Sequence, residues 1–213
     1  TEPQHHVHSK LMAWVALDRA LRLAPLFGGD KHMEHWRSAR EEVRQEILEK
    51  GFDPKIGSFV DAYGSEGVDA ALLLFPIYGF LPPNHPRITG TLDRVRRDLA
   101  EGRYLRRYRG DDGIGADEGG FLLCGFWLAE ALALAGRVDE ALEARNDHLG
   151  AANHVGLLAE EVDPATGNEL GNFPQAFSHL GLIQAATRTD LALRMRDEGS
   201  ARPPRHTFDL PVR

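Results

Sequence analysis

Glu160 and Glu161 stand side by side behind an apolar lead-in, Gly156-Leu157-Leu158-Ala159, and ahead of Asp163-Pro164-Ala165-Thr166-Gly167, a stretch with turn-forming chemistry. A carboxylate held at the rim of buried helices suits a general base acting on water. The same spacing suits a solvated acidic loop. Arg107-Tyr108-Arg109, followed by Asp111-Asp112-Gly113, offers fixed guanidinium donors, or else a basic loop paired with its own carboxylates. Glu118 fits either a ligand contact or a helix-terminal carboxylate interacting with the dipole. His32 and His35, three apart, can present two imidazoles on one helix side, but with His5, His6 and His8 they suggest no third ligand, so no metal is expected. No phosphate-cradling glycine loop, nucleophile elbow or cysteine nucleophile is present, and no cofactor is expected.

These groups need elements to position them, and the composition supplies a core. The chain has 213 residues, 42% hydrophobic and 27% charged, which rules out disorder over most of its length and suggests one domain or part of one. A net charge of −7 argues against nucleic acid or an anionic membrane as partner. No run approaches the ~18 apolar residues of a membrane span. The single cysteine, Cys124, forbids an intrachain disulfide and a cysteine zinc cluster, and fits a reducing, cytoplasmic setting.

Almost every segment reads helical. Trp36, Ala39, Val43 and Ile47 predict an amphipathic helix over about 31–50, and Ile88, Leu92, Val95 and Leu99 another over about 86–100. Val138, Ala141, Leu142 and Leu149 sketch a third. Between these outer helices lie runs apolar nearly all round, Leu11–Leu17, Ala70–Phe75, Phe121–Leu128 and Phe177–Ala186, which predict inner, buried helices. Their centres, Trp14, Leu72, Phe126 and Ile183, are 58, 54 and 57 residues apart, a repeating hairpin of one inner and one outer helix. Outer-to-inner connections are long, about 51–67, 101–117 and 152–174, and long loops in such domains carry function. From about Leu193 the pattern stops, so 193–213 is expected to be an irregular tail. Trp14, Trp36 and Trp127 sit on apolar stripes and read as core.

Four ordered blocks carry a family resemblance: His8-Ser9-Lys10-Leu11-Met12-Ala13-Trp14 onward, Asp69–Leu74 leading to Gly79-Phe80-Leu81-Pro82-Pro83, Glu118–Trp127, and Gly156–His179. Together they resemble the bacterial branch of glycoside hydrolase family 15, glucoamylases and trehalases, from about residue 5 to 188. The resemblance implies an all-α fold, an (α/α)6 barrel or toroid, here an incomplete set of about seven helices over residues 1–192. It also implies inverting hydrolysis of α-glucosidic bonds by two carboxyl groups. Ala159-Glu160-Glu161-Val162-Asp163 with Gly167-Asn168-Glu169-Leu170 matches the family's base segment, which gives Glu160 the base role and makes Glu161 the weaker candidate. Arg107, Tyr108, Glu118, Lys10 and His8 are implied near the sugar.

The family's general acid lies in a Trp-Glu segment just before the block at His8, and none precedes it here; Glu2 has no tryptophan before it. The chain opens at Thr1 in residues that read as mid-domain, which suggests the C-terminal portion of a catalytic domain, inactive by itself and missing an N-terminal segment. Glucoamylase-like action on a small oligosaccharide is the leading expectation. A trehalase acting on a disaccharide is the alternative, and an inactive carbohydrate-binding remnant a further one. Leu72-Leu73-Leu74 is expected to lie open on a half ring and to drive self-association.

Overall fold

Helix α1 (Val7–Phe27) ends where Gly28 enters the left-handed region at φ 68°, a conformation glycine adopts without strain. A 3-10 turn, Asp30–His32, leads into α2 (Met33–Lys50). Along α2, Trp36, Ala39 and Val43 are half-buried and Ile47 is buried, the one-sided stripe their spacing predicts. Helix α1 is also one-sided: Leu11, Trp14 and Val15 are buried, whereas Met12, Ala13 and Ala16 are exposed, so it is not enclosed on most sides as expected. The buried carboxylate of Asp18, on α1, is matched by Arg19, Arg22 and, from α2, Arg40. A short antiparallel hairpin, β1 (Phe52–Asp53) with β2 (Ser58–Phe59), packs Phe52 edge-on against Phe59. These elements form one unit, residues 1–67. The computed structural model describes residues 3–28, 30–109 and 118–199; Asp111, Asp112 and Gly113 lie outside them.

Residues 68–213 form a second unit. Its first apolar run is not one regular helix. Ala70–Leu73 is a 3-10 turn, capped by Asp69, whose carboxylate accepts the Ala71 amide at 2.6 Å, and it passes into a five-residue helix, α3 (Leu74–Tyr78). Pro76 has no N–H for an α-helical bond to Leu72, and Gly79 at φ 76° ends the helix. Leu72, Leu73 and Leu74 are all buried, so the open patch expected there does not exist.

Helix α4 (Pro86–Leu99) buries Ile88, Leu92, Val95 and Leu99, its predicted stripe. Helix α5 (Leu122–Leu134) is the centre of this unit, with 11 of its 13 residues buried, and packs against α6 (Val138–Leu149) and α7 (Ala176–Asp197). The last of these corrects two expectations. Its buried residues are Arg188 and the small Ser178, Gly181, Ala185, Thr189 and Ala192, while the large apolar Phe177, Leu180 and Ile183 are 64%, 53% and 62% exposed. Close helix approach explains the choice, since a Cβ at Gly181 would lie 2.8 Å from the Leu123 side chain and 3.2 Å from Phe126 Cβ. The helix also continues through Asp197, so residues 193–197 are helical rather than irregular.

The long connections contain short strands. Strand β3 (Ala100–Glu101) pairs antiparallel with β4 (Tyr104–Leu105). Farther on, β5 (Gly120–Phe121), β6 (Glu161–Val162) and β7 (Glu169–Leu170) form an antiparallel sheet with β6 in the middle. Among the described residues no helix is long and apolar enough to cross a membrane.

Candidate active site

The segment leading to Glu160 is fixed from both sides. Its Leu158 carbonyl accepts the Gln175 amide at 2.9 Å, and its Ala159 carbonyl accepts the Ser178 hydroxyl at 2.7 Å, both from the start of α7. His179 completes the attachment: Nδ1 donates to the Gln175 carbonyl at 2.7 Å, which leaves Nε2 as acceptor for the Leu158 amide at 3.3 Å. On the other side the Glu160 carbonyl accepts the Leu122 amide, the first of α5, at 3.1 Å. Glu160 is therefore anchored to the N-terminal ends of two helices. The following turn forms as its composition predicts: the Asp163 carboxylate accepts from the Ala165 amide and the Thr166 hydroxyl at 2.8 and 2.6 Å, and Gly167 turns at φ 75°. Those bonds hold the Asp163 carboxyl below the usual carboxylate range, led by Thr166.

The two adjacent glutamates have different surroundings. The half-buried Glu160 carboxylate takes both donors of Asn172 on one oxygen, Oε2: the side-chain amide at 2.7 Å and the backbone N–H at 3.1 Å. Gly171 leaves room for it, since a Cβ there would lie 2.9 Å from that oxygen. Glu161 Oε2 instead accepts the Gly119 amide at 2.7 Å. Burial pushes the Glu161 carboxyl above its ordinary value, and the charges of Glu118 and Glu160 push the same way against the Gly119 bond and Arg106.

Other predicted residues gather around this sheet. Arg106 donates to the Glu118 backbone carbonyl at 2.7 Å and pairs with Glu101, which ties Glu118 to the β3–β4 hairpin. Tyr108 bridges to Asp69, and the Arg107 Nε lies 4.0 Å from the Asp69 carboxylate while its carbonyl accepts the Ala70 amide. The buried Cys124 thiol, in the first turn of α5, is pushed well above its ordinary value by burial. The charges of Asp69 and Glu161 push it the same way, and Arg107 opposes them.

Lys10 and His8 belong to the first unit, on α1. There the Lys10 ammonium stands 3.9 Å from Glu46 and 5.9 Å from the Tyr63 ring, a structural setting in its own right. Burial, then Glu46, pushes the Tyr63 phenol up to about 12. The rings of His5 and Tyr63 stack, and that of His32 lies 5.8 Å from the Trp36 ring. A separate cavity of about 1070 Å³ opens beside the β6–β7 turn, lined by Arg103, Asn153, Thr166, Asn168 and Glu169 among others, and none of the predicted site residues lines it.

Residues 1–187 match the family described as glycosyl hydrolases family 15. The chain belongs to that family. It is 47% identical over 197 residues to a trehalase of Thermoplasma volcanium, covering 92% of this chain and 32% of the relative. It is 44% identical over 187 residues to a trehalase of Mycobacterium tuberculosis, covering 86% and 27%. The chain thus spans about a third of the length of the curated relatives it matches. A glucoamylase structure from Saccharomycopsis fibuligera superposes with a TM-score of 0.71 at 14% identity, covering 89% of this chain and 56% of that one. The likeness shows the fold, all-α and of the (α/α)6 toroid type. In this family 15 chain, sequence reasoning passed over Asn172 and Asp69. The signal for Asp69 is an acid directly before an apolar run, a helix cap; Asn172 follows a glycine that the chain needs in the left-handed region.

Proposed function

We propose that this chain contributes the general base, Glu160, to a family 15 enzyme that hydrolyses trehalose with inversion. Identity of 44–47% to proteins named trehalase, over most of this chain, carries the choice of sugar. The glucoamylase structure is only 14% identical and speaks for the fold alone, so the glucoamylase reading gives way to its alternative. In the reaction, Glu160 takes a proton from water as that water attacks one anomeric carbon. The bond from that carbon to the bridging oxygen breaks, and a second carboxyl group protonates the departing oxygen. One β-glucose and one α-glucose result. Arg107, Tyr108 and Glu118 are assigned to sugar hydroxyls.

The chain contains no Trp-Glu dipeptide, the family's acid segment by resemblance. We therefore assign the second carboxyl to a part of the domain outside residues 1–213. Loss of positioned proton transfer removes ~10²- to 10⁴-fold of rate, so residues 1–213 alone are assigned little or no activity. The test is glucose release from trehalose and maltotetraose, by this chain and by the chain extended upstream in its source reading frame through the first Trp-Glu. Release from trehalose by the extended form alone supports the proposal. Preference for maltotetraose returns it to glucoamylase, and silence in both forms leaves a non-catalytic remnant. In the active form, Glu160→Gln should abolish turnover while leaving sugar binding largely intact. Unchanged turnover removes Glu160 from the base role.

A further inference from the structure

Resting on the reading of Glu160 as base, we infer that Asn172 is its positioning residue. Both Asn172 donors, the Nδ2 amide at 2.7 Å and the backbone N–H at 3.1 Å, converge on the single oxygen Oε2. The contact is reciprocal, because the Glu160 backbone N–H donates to the Asn172 carbonyl at 2.9 Å. Gly171 completes the clamp from behind, with no Cβ to displace the carboxylate. Two hydrogen bonds on one oxygen fix the rotation of the carboxylate plane and commit Oε2. Oε1 accepts no hydrogen bond among the described residues, which makes it the oxygen free to receive a proton from water.

The residue type fits orientation rather than stability. Asn172 is exposed, so water would satisfy Glu160 if the amide were removed, and little folding free energy depends on it. An amide donates without adding charge, so Glu160 is aimed without being paired to a cation. A misaimed base loses rate far more than it loses substrate, since small displacements of a reacting group commonly cost ~10²-fold.

The experiment uses the trehalose-hydrolysing form of the protein in its full reading frame. Asn172→Ala should lower kcat ~10- to 100-fold and leave KM within about twofold. Asn172→Asp, which sets a like charge against Glu160, should be slower than Asn172→Ala. The decisive comparison is made in Glu160→Ala with added azide. Azide attacks the anomeric carbon in place of water, the C–O bond breaks, and the departing glucose takes its proton from the general acid, giving β-glucosyl azide. With the carboxylate gone, adding Asn172→Ala should change that rate less than about twofold. An equal loss in the azide reaction assigns Asn172 a structural role and overturns the inference, as does an unchanged kcat in Asn172→Ala. Formation of β-glucosyl azide by Glu160→Ala upholds the base reading whichever way Asn172 falls. Full turnover of trehalose with water by Glu160→Ala overturns both.

Discussion

Glu161 Oε2 accepts the backbone amide of Gly119 at 2.7 Å, so the second carboxylate of the pair is tied to the strand leading into α5. Its neighbour Glu160 instead sets one oxygen, Oε2, against Asn172. Glu160 lies in the bend just before β6 and Glu161 is the strand's first residue, so two glutamates of identical chemistry have different hydrogen-bond partners.

The raised Glu161 carboxyl has a pH signature. Burial is its first cause, so the folded state binds a proton more readily than the unfolded one. Stability from this group is therefore full below the ordinary carboxylate value and is lost as pH rises through the raised native value. Glu161→Gln keeps an acceptor for Gly119 and removes the charge. Its melting temperature should rise relative to the parent as pH goes from about 4 to about 7. Thermal melts across that range check it, and parallel curves for the two proteins would contradict the assignment.

Gly171 is the second prediction. Its φ of 70° disfavours any side chain, and a Cβ would press on Glu160 Oε2 at 2.9 Å. Gly171→Ala should cost about 1–2 kcal/mol of stability for the left-handed backbone alone. In the active enzyme it should also lower kcat, because the carboxylate must shift. Denaturant titration measures the first effect and steady-state kinetics the second; wild-type values in both would mean that the turn rearranges freely.

Much of this architecture was legible in residue spacing. The stripes of α2 and α4 appear as predicted because an outer helix declares its buried face by period. The Asp163–Gly167 turn was equally legible, since Asp, Thr and Gly each have one local job there. Less legible were α3 and α7. Pro76 and Gly79 cut a run of leucines into a 3-10 turn and a short helix, and α7 exposes its large apolar residues Phe177, Leu180 and Ile183 while burying small ones. Apolar content alone carries no direction on a helix that is apolar nearly all round. The family motif singles out Glu160 as the proposed base, whereas its hydrogen bond to Asn172, 12 residues on, is visible only in the folded chain.

A buried ion pair offers a third prediction. Arg188 on α7 and Glu130 on α5 meet at 3.5 Å with side chains 8% and 6% exposed. Burial pushes the Glu130 carboxyl up even against the pull of Arg188. Arg188→Met leaves that carboxylate without its cation and should cost about 3–5 kcal/mol. Glu130→Gln added to Arg188→Met should recover most of the loss, since no uncompensated charge remains. Chemical denaturation of the two single variants and the double variant closes the cycle, and purely additive losses would show that the pair is not coupled.

The exposed face of α7 bears on the chain as an isolated molecule. Phe177, Leu180 and Ile183 follow one another at intervals of three, so they form one stripe. Each large apolar side chain removed from water contributes roughly 1.5–3 kcal/mol, so a stripe of this size favours contact with another surface. The chain alone should self-associate through it, with a sedimentation coefficient that rises with concentration. Replacing Phe177, Leu180 and Ile183 together by Gln should return a single slow species without lowering the melting temperature, because none of the three is buried in this chain. The opposite face of α7, carrying Gly181 and Ala185 against α5, serves as the internal control: Gly181→Val should unfold the helix packing and broaden the melt. A parent chain that sediments as one monomer at every concentration would remove α7 as the associating surface.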